Sequence, residues 1–200
     1  MQRMVFVFTT VKGKGKCRLF FGETVGEIMD EKHCEQVEFF DLGNCGAHRS
    51  ETSKAFRYLR LTGECEEISF EEEYEPEPVV TRFESEDKEL EKIFSVALYT
   101  FALCSKEFYL DGIKRDRLVW VGDLHPEVTT VATVFGPHSI VPRSLDLARQ
   151  TTPLPGWMND IGSYSLWWIL IQRDWYRYYA DLDYLNEQKE YLSGLLKQVL

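Results

Sequence analysis

The sequence predicts a mixed fold: a partial β-sandwich over residues 1–75, an acidic, proline-bearing linker over 76–84, and α-helical hairpins of an incomplete helical barrel over 85–200. Three observations carry that expectation. Short β-branched and aromatic runs separated by Gly, Asn and Ser turns fill the first third. Between residues 64 and 91, thirteen acidic residues stand against only Arg82 and Lys88, with Pro76 and Pro78 among them, a composition that marks a crossing between domains. Beyond Ser85, apolar residues recur at helical spacing.

In the first third, residues 5–11 are β-branched and aromatic, Lys12-Gly13-Lys14-Gly15-Lys16 reads as a turn, and residues 17–21 return, which predicts a hairpin. The glycine–lysine repeat lacks the four-residue gap and Gly-Lys-Ser/Thr ending of a phosphate loop, so no phosphate role is expected. Residues 36–42 and 55–61 alternate as half-buried strands do. In the second, Phe56 and Tyr58 are expected on one face, with Arg57 and Leu59 on the other. A strand beginning almost at Met1 makes the expected sandwich a partial one.

In the helical part, Ser85 is placed to cap a helix whose first turn carries Glu86, Asp87 and Glu89. Leu90, Ile93, Phe94, Ala97, Leu98 and Phe101 then trace an amphipathic pattern. Pro126 and Glu127 read as the start of a second helix that Gly136 ends. A shorter helix is expected over 142–150, with a loop through Pro153, Pro155 and Gly156 after it. Residues 163–180 are apolar nearly all round, which predicts an inner helix covered on every side. Asp183 is placed to cap a last helix with Leu185, Tyr191, Leu192, Leu195, Leu196 and Val199 on one stripe, close enough behind to form an antiparallel hairpin. Alternating inner and outer helices build a toroid, and about four or five long helices are too few to close one.

Composition narrows the function. A hydrophobic fraction of 44% and a charged fraction of 28% describe a globular chain. A net charge of −10 argues against nucleic acid or an anionic membrane as partner, and the longest apolar stretch, 166–170, is far short of a membrane span. Met1 to Thr10 reads as a strand and not as a signal peptide, which leaves cytoplasmic and exported locations both open. Five cysteines with no C-x-x-C pair and no zinc-like spacing to histidine give no metal site, and no cofactor motif is present. Their odd count favours free thiols. The glutamates around residue 70 lack the Asp-x-Asp-x-Asp-Gly pattern of a calcium loop and read as a solvated face.

The chemistry concentrates in residues 107–123, EFYLDGIKRDRLVWVGD. Between Asp111 and Asp123 stand three aspartates, two arginines, a lysine, a tryptophan and two glycines. Carboxylates among guanidinium groups beside an indole face suit a sugar or polyol, where general acid chemistry needs positioned carboxyls. The bland alternative is that the Asp–Arg pairs cap helix ends and the tryptophan is core.

The stretch Asp111-Gly-Ile-Lys-Arg-Asp-Arg-Leu-Val-Trp-Val-Gly-Asp123 resembles the signature of the α-L-rhamnosidases of glycoside hydrolase family 78. Trp157-Met-Asn-Asp-Ile-Gly-Ser-Tyr-Ser-Leu-Trp-Trp168 and Asp181-Leu-Asp-Tyr-Leu are similar to the segments downstream of that signature in bacterial members. The likeness runs from about residue 55 onward, where Phe56-Arg-Tyr-Leu-Arg-Leu looks like the last part of the β-sandwich before the family's barrel. The resemblance implies an inverting hydrolase on an (α/α)6 barrel that releases terminal α-L-rhamnose from glycosides or polysaccharides. By that implication Asp111 and Asp123 hydrogen-bond sugar hydroxyls, Arg115 orients the sugar, and Trp120 walls it. Asp116 stands where the family usually has the glutamate that acts as general acid, one methylene shorter.

An inverting glycosidase needs its acid and base roughly 6.5–9.5 Å apart. Burial against Trp120 and the charges of Asp111 and Asp123 are expected to raise the pKa of Asp116, and Arg115 and Arg117 to lower it. Tyr164 and Trp167 are further candidates for lining the pocket, with core packing as the alternative. His125 is expected to be a surface or capping residue. No residue matches the family's base, so the chain is expected to be a weak or inactive catalyst alone. Its expected partners are a rhamnose-containing substrate and either the missing barrel half or a second copy at the open barrel edge. Two other readings remain: a non-catalytic carbohydrate-binding fragment, or another (α/α)6 exo-glycosidase or polysaccharide lyase, although a lyase favours a basic cleft.

Overall fold

In the first of two compact units, Met1–Tyr74 and Glu75–Leu200, every strand pair among the described residues includes one long strand. The computed structural model describes residues 5–73 and 79–200. The first four residues and 74–78, with Pro76, Pro78 and the expected start of the linker, lie outside the described residues.

Strand β1 (Val5–Gly22) is antiparallel to β2 (Gln36–Asp41), β3 (Gly46–Arg49), β4 (Lys54–Phe56) and β5 (Tyr58–Glu72). A strand has two edges. β5 pairs with β1 from Val7 to Gly22, so β4, β3 and β2 must succeed one another along the opposite edge, at residues 5–7, 10–13 and 16–21. This overturns the predicted hairpin: Lys12 to Lys16 do not turn the chain back. They form a bulged stretch inside one strand, where the β1–β5 register shifts at Lys12/Gly13 and again between Lys14 and Arg18. Gly63 accommodates the shift, with φ +119, and the Lys16 carbonyl and the Cys17 sulfur fill the space a side chain would take. A β-carbon there would be both strained and obstructed.

Alternation along β1 splits the apolar residues between two faces. Val7, Val11, Cys17, Leu19 and Phe21 pack with Leu42 and Phe56 on one, and Phe20 packs with Cys34 and Ile28 of the short helix α1 (Val25–Met29) on the other. Phe56 and Tyr58 do not share a face as expected. The strand breaks at Arg57, whose N–H donates to Gly22 O (2.9 Å), so Phe56 joins Leu59 and Leu61 while Tyr58 joins the opposite cluster. All five cysteines are free thiols.

The second unit is helical: α2 (Lys88–Cys104), α3 (Val121–Thr130) continued by a π-helical turn (Val131–Phe135), α4 (Ile140–Thr151), α5 (Gly162–Tyr179) and α6 (Leu182–Val199). This sheet-then-hairpin order is the predicted fold class. Three starts differ in detail. Asp87 caps α2, accepting from Glu89 N–H, and Ser85 Oγ accepts from Asp87 N–H instead. Helix α3 begins five residues before Pro126, because Trp120 O already accepts from Asp123 and Leu124 N–H at 3.0 Å each. The proline therefore sits in the second turn, where its missing N–H forfeits a bond to Gly122 O. Asp181, and not Asp183, caps α6 by accepting from Tyr184 N–H (3.1 Å), after a connection through left-handed Ala180 (φ 51).

The core of this unit joins α3, α4, α5 and α6 through Val121, Leu124, Val128, Ile140, Leu145, Trp168, Ile171 and Leu195. Trp168 is fully buried, its indole N–H donates to Leu145 O (3.1 Å), and its ring meets Tyr191 edge-on at 5.4 Å. Helix α5 buries one stripe, Ser165, Trp168, Ile171, Gln172 and Trp175, and leaves Leu166, Trp167, Tyr176 and Tyr178 exposed. The expected cover on every side is thus not found among the described residues, which supply neighbours to one side only. Among the described residues no helix is long and apolar enough to cross a membrane.

Replacing Trp168 with alanine removes a buried indole and its hydrogen bond to Leu145 O, so Trp168→Ala is expected to cost about 3–5 kcal/mol. Urea unfolding monitored by far-ultraviolet circular dichroism measures it, and a loss under about 1 kcal/mol contradicts this packing.

Candidate active site

Residues 105–120 connect α2 to α3 without regular structure, yet they are tied at both ends. At the start, Ser105 and Tyr109 form an antiparallel bridge. Tyr109 is buried, its N–H donates to the buried Ser144 Oγ of α4 (3.0 Å), and its ring lies 5.2 Å from Phe101. Asp111 closes the middle: its N–H donates to Leu118 O (3.1 Å) and its Oδ1 accepts from Leu118 N–H (2.9 Å). The six residues between them form a small loop with Asp116 and Arg117 both left-handed (φ 53 and 56). Non-glycine residues rarely hold that conformation, at a cost of about 1–2 kcal/mol each.

At the far end, one side chain holds the backbone on either side of Trp120. Asn159 Oδ1 accepts from Val121 N–H (3.0 Å), and Asn159 Nδ2 donates to Val119 O (3.1 Å). Asn159 reaches across from a 3-10 turn before α5 and is itself left-handed (φ 51). Its neighbour Met158 is fully buried, with its N–H donating to the buried Ser165 Oγ (3.1 Å). The Trp120 indole then stands edge-on to Tyr164 of α5 at 6.1 Å. Gly122 makes room for that ring, since an added β-carbon would sit 2.6 Å from Tyr164 ring carbons.

The candidate residues of the sequence fall into three groups. Trp120, Asp123 and Tyr164 gather at the N-terminal ends of α3 and α5, and Asp111 lies within electrostatic reach of Asp123. Arg115 and Asp116 lie exposed at the tip of the 111–118 loop. The burial expected to keep Asp116 protonated is therefore not found. Trp167 packs its ring on His125 at 4.6 Å. His125 is half-buried and not a surface residue: its Nε2 lies 3.3 Å from Asp174 Oδ2, and Asp174 also pairs with Arg173 (2.7 Å).

Two residues of the site escape a reading of the sequence alone. Asn159 lies inside the Trp157–Trp168 motif, but its bridging role depends on partners 38 and 40 positions away. Glu127 resembles a helix start because Pro126 suits a first helical position. With α3 beginning at Val121, Glu127 falls one turn below Asp123, on the same side of the helix. Burial, reinforced by Asp123 and then Asp111, pushes its carboxyl up to about 8. Asp123 is raised by burial and by Asp111, against the helix N-terminus, which favours its anion. Burial first, then Glu127 and Asp111, pushes the Cys104 thiol up to about 11, with Lys106 opposing. The site thus concentrates negative charge and holds one carboxyl in its acid form at neutral pH.

The helical unit is thus built of hairpins, with Trp120, Asp123 and Tyr164 at the N-terminal ends of α3 and α5. The family described as the bacterial alpha-L-rhamnosidase 6 hairpin glycosidase domain matches residues 78–199, and this chain belongs to it. Solved structures share the fold. A rhamnosidase from Klebsiella oxytoca with rhamnose bound aligns at TM-score 0.67 and 20% identity, over 97% of this chain and 46% of its own. A family GH78 rhamnosidase of Bacillus sp. GL1 aligns at 0.76 and 20%, over 98% of this chain and 23% of its own. The alpha-L-rhamnosidase from Dictyoglumus thermophilum aligns at 0.68 and 17%, over 99% and 26%. The chain spans less than half the length of each. No curated protein matches it.

Two outcomes are expected. Asn159→Ala leaves Val121 N–H and Val119 O unpaired, and amide exchange at Val121 should quicken by about tenfold or more; unchanged exchange would contradict the bridging role. Glu127 has an ordinary pKa of 4.5 when unfolded and about 8 when folded, so the folded state holds an extra proton between those values. Stability then falls as pH rises through that window and levels off above it. Glu127→Gln should remove the fall, making the variant more stable than the parent on the alkaline side, as read by urea midpoints at about pH 6 and about pH 9.

Proposed function

We propose that this chain is the sugar-gripping and acid-bearing part of an α-L-rhamnosidase-like glycosidase that acts on terminal rhamnose of glycosides or polysaccharides. The observation that carries the reading is the spacing Asp111, Asp116, Trp120, Asp123 within the family's six-hairpin domain, with Trp120 and Asp123 fixed at the start of α3 beside Tyr164. The Klebsiella oxytoca relative, with rhamnose bound, supports the choice of sugar.

In this reading Asp111 and Asp123 accept hydrogen bonds from sugar hydroxyls, and the Trp120 indole covers the apolar face of the ring. Arg115 orients the sugar, and Tyr164 closes the same wall. Trp167, against His125, adds an aromatic edge to the neighbouring surface. Asp116, on its exposed loop, approaches the glycosidic oxygen and gives up its proton as the bond from the anomeric carbon breaks. A water molecule attacks the opposite face and loses its proton to a base, inverting the anomeric centre. None of these 200 residues is matched to that base, so the chain by itself binds the sugar and turns it over slowly or not at all.

The test is calorimetric titration of L-rhamnose alongside hydrolysis of a chromogenic α-L-rhamnoside. Binding is expected, with Asp111→Ala and Asp123→Ala each weakening it by about tenfold or more. Hydrolysis by the 200-residue chain at an ordinary enzymatic rate, lost in Asp116→Ala, would sink the claim that it lacks a base.

A further inference from the structure

The proposed sugar site leaves one half-buried ionisable group, Glu127, without a task. Glu127 lies one turn along α3 from Asp123, and two other sides of that helix are occupied. Val121, Leu124, Val128 and Val131 face the core, and His125 faces Trp167 and Asp174 of α5. The charges that act on Glu127 come from Asp123 on its own helix and Asp111 in the loop above it, and Glu127 in turn acts on Cys104 at the end of α2, beside Lys106. Glu127 therefore lies one helical turn beyond Asp123 on the same side of α3, within electrostatic reach of Asp111 in the connecting loop and of Cys104 at the end of α2.

Such a position is costly for a carboxylate and serves no packing end that leucine or glutamine would not serve better. Resting on the proposed sugar site, we propose that Glu127 is a third carboxyl of that site, lying one helical turn beneath Asp123 and sharing with it the hydroxyl groups of the bound sugar. Asp111 and Asp123 as anions only accept hydrogen bonds. A sugar hydroxyl both donates and accepts, and a carboxylic acid among the carboxylates supplies the missing donor. Burial and the two aspartates hold Glu127 in that acid form near neutrality. When it ionises, the site loses its donor and gains a third negative charge, so sugar binding weakens on the alkaline side.

The experiment is calorimetric titration of the 200-residue chain with L-rhamnose from about pH 6 to about pH 9.5, on the parent, Glu127→Gln, Glu127→Ala and Asp123→Ala. The parent is expected to lose about tenfold in affinity across the alkaline limb. Glu127→Gln, which keeps a donor at every pH, should flatten that limb and bind more tightly at the acid end than Glu127→Ala does. A merely structural glutamate would not make affinity track its own proton. If Asp123→Ala loses rhamnose while both Glu127 variants keep the parent's affinity and pH profile, Glu127 is not part of the site, and the sugar-site reading survives. If the parent fails to bind rhamnose, or Asp123→Ala binds as well as the parent, the sugar-site reading fails and takes this inference with it.

Discussion

Asn159 is the constraint on which the geometry of the helical unit's charged end depends. A peptide that must present Trp120 outward while burying Val119 and Val121 has two backbone groups that a loop would normally leave to water. One amide side chain satisfies both, donating to Val119 O and accepting from Val121 N–H. Because Asn159 belongs to the turn that starts α5, the bridge also fixes where α3 begins relative to α5. The close approach of Tyr164 to Gly122, the edge-on contact of Trp120, and the height of Asp123 in the first turn all stem from that single register.

The second determinant is electrostatic. Three carboxyls stand near the start of α3, where the helix end favours anions but burial does not. The competition resolves with depth. Asp123 at the rim is raised, and Glu127 one turn deeper is raised to about 8. The loop carrying Asp116 is exposed at its tip and is closed by Asp111, which bonds Leu118 through both its backbone and its side chain, with two residues in left-handed conformations. Rigidity near Trp120 and exposure at Asp116 thus belong to different parts of one connection.

Much of this is legible in the residues. Helical spacing locates α2, α4, α5 and α6, and the density of Asp, Arg and Trp marks the loop before α3. What is not legible is long-range. Lys12-Gly13-Lys14-Gly15-Lys16 has the local chemistry of a turn, and pairing with β5 on one edge and with β3 and β2 on the other keeps it extended. Pro126 is a good first residue for a helix, whereas the true start of α3 is set by Trp120 and by Asn159, 38 residues distant from Val121. The local signal at Pro126 also hides Glu127, since its relation to Asp123 appears only when both are counted on the same helix.

The pattern of pairing around β1 has a consequence for how the chain is made. β1 is complete at Gly22, but β5, which covers one whole edge of it, ends only at Glu72. At synthesis speeds of about 5–20 residues per second, that edge waits roughly 3–10 seconds for its partner. An apolar strand left open for so long is an invitation to neighbouring chains. The three lysines and two glycines at its centre, which do not turn the chain, are residues that discourage such pairing. In the finished sheet two of those lysines meet acidic partners on β5, Lys12 with Glu67 and Lys14 with Glu66. The same charges that guard the nascent strand thus help to select its proper mate.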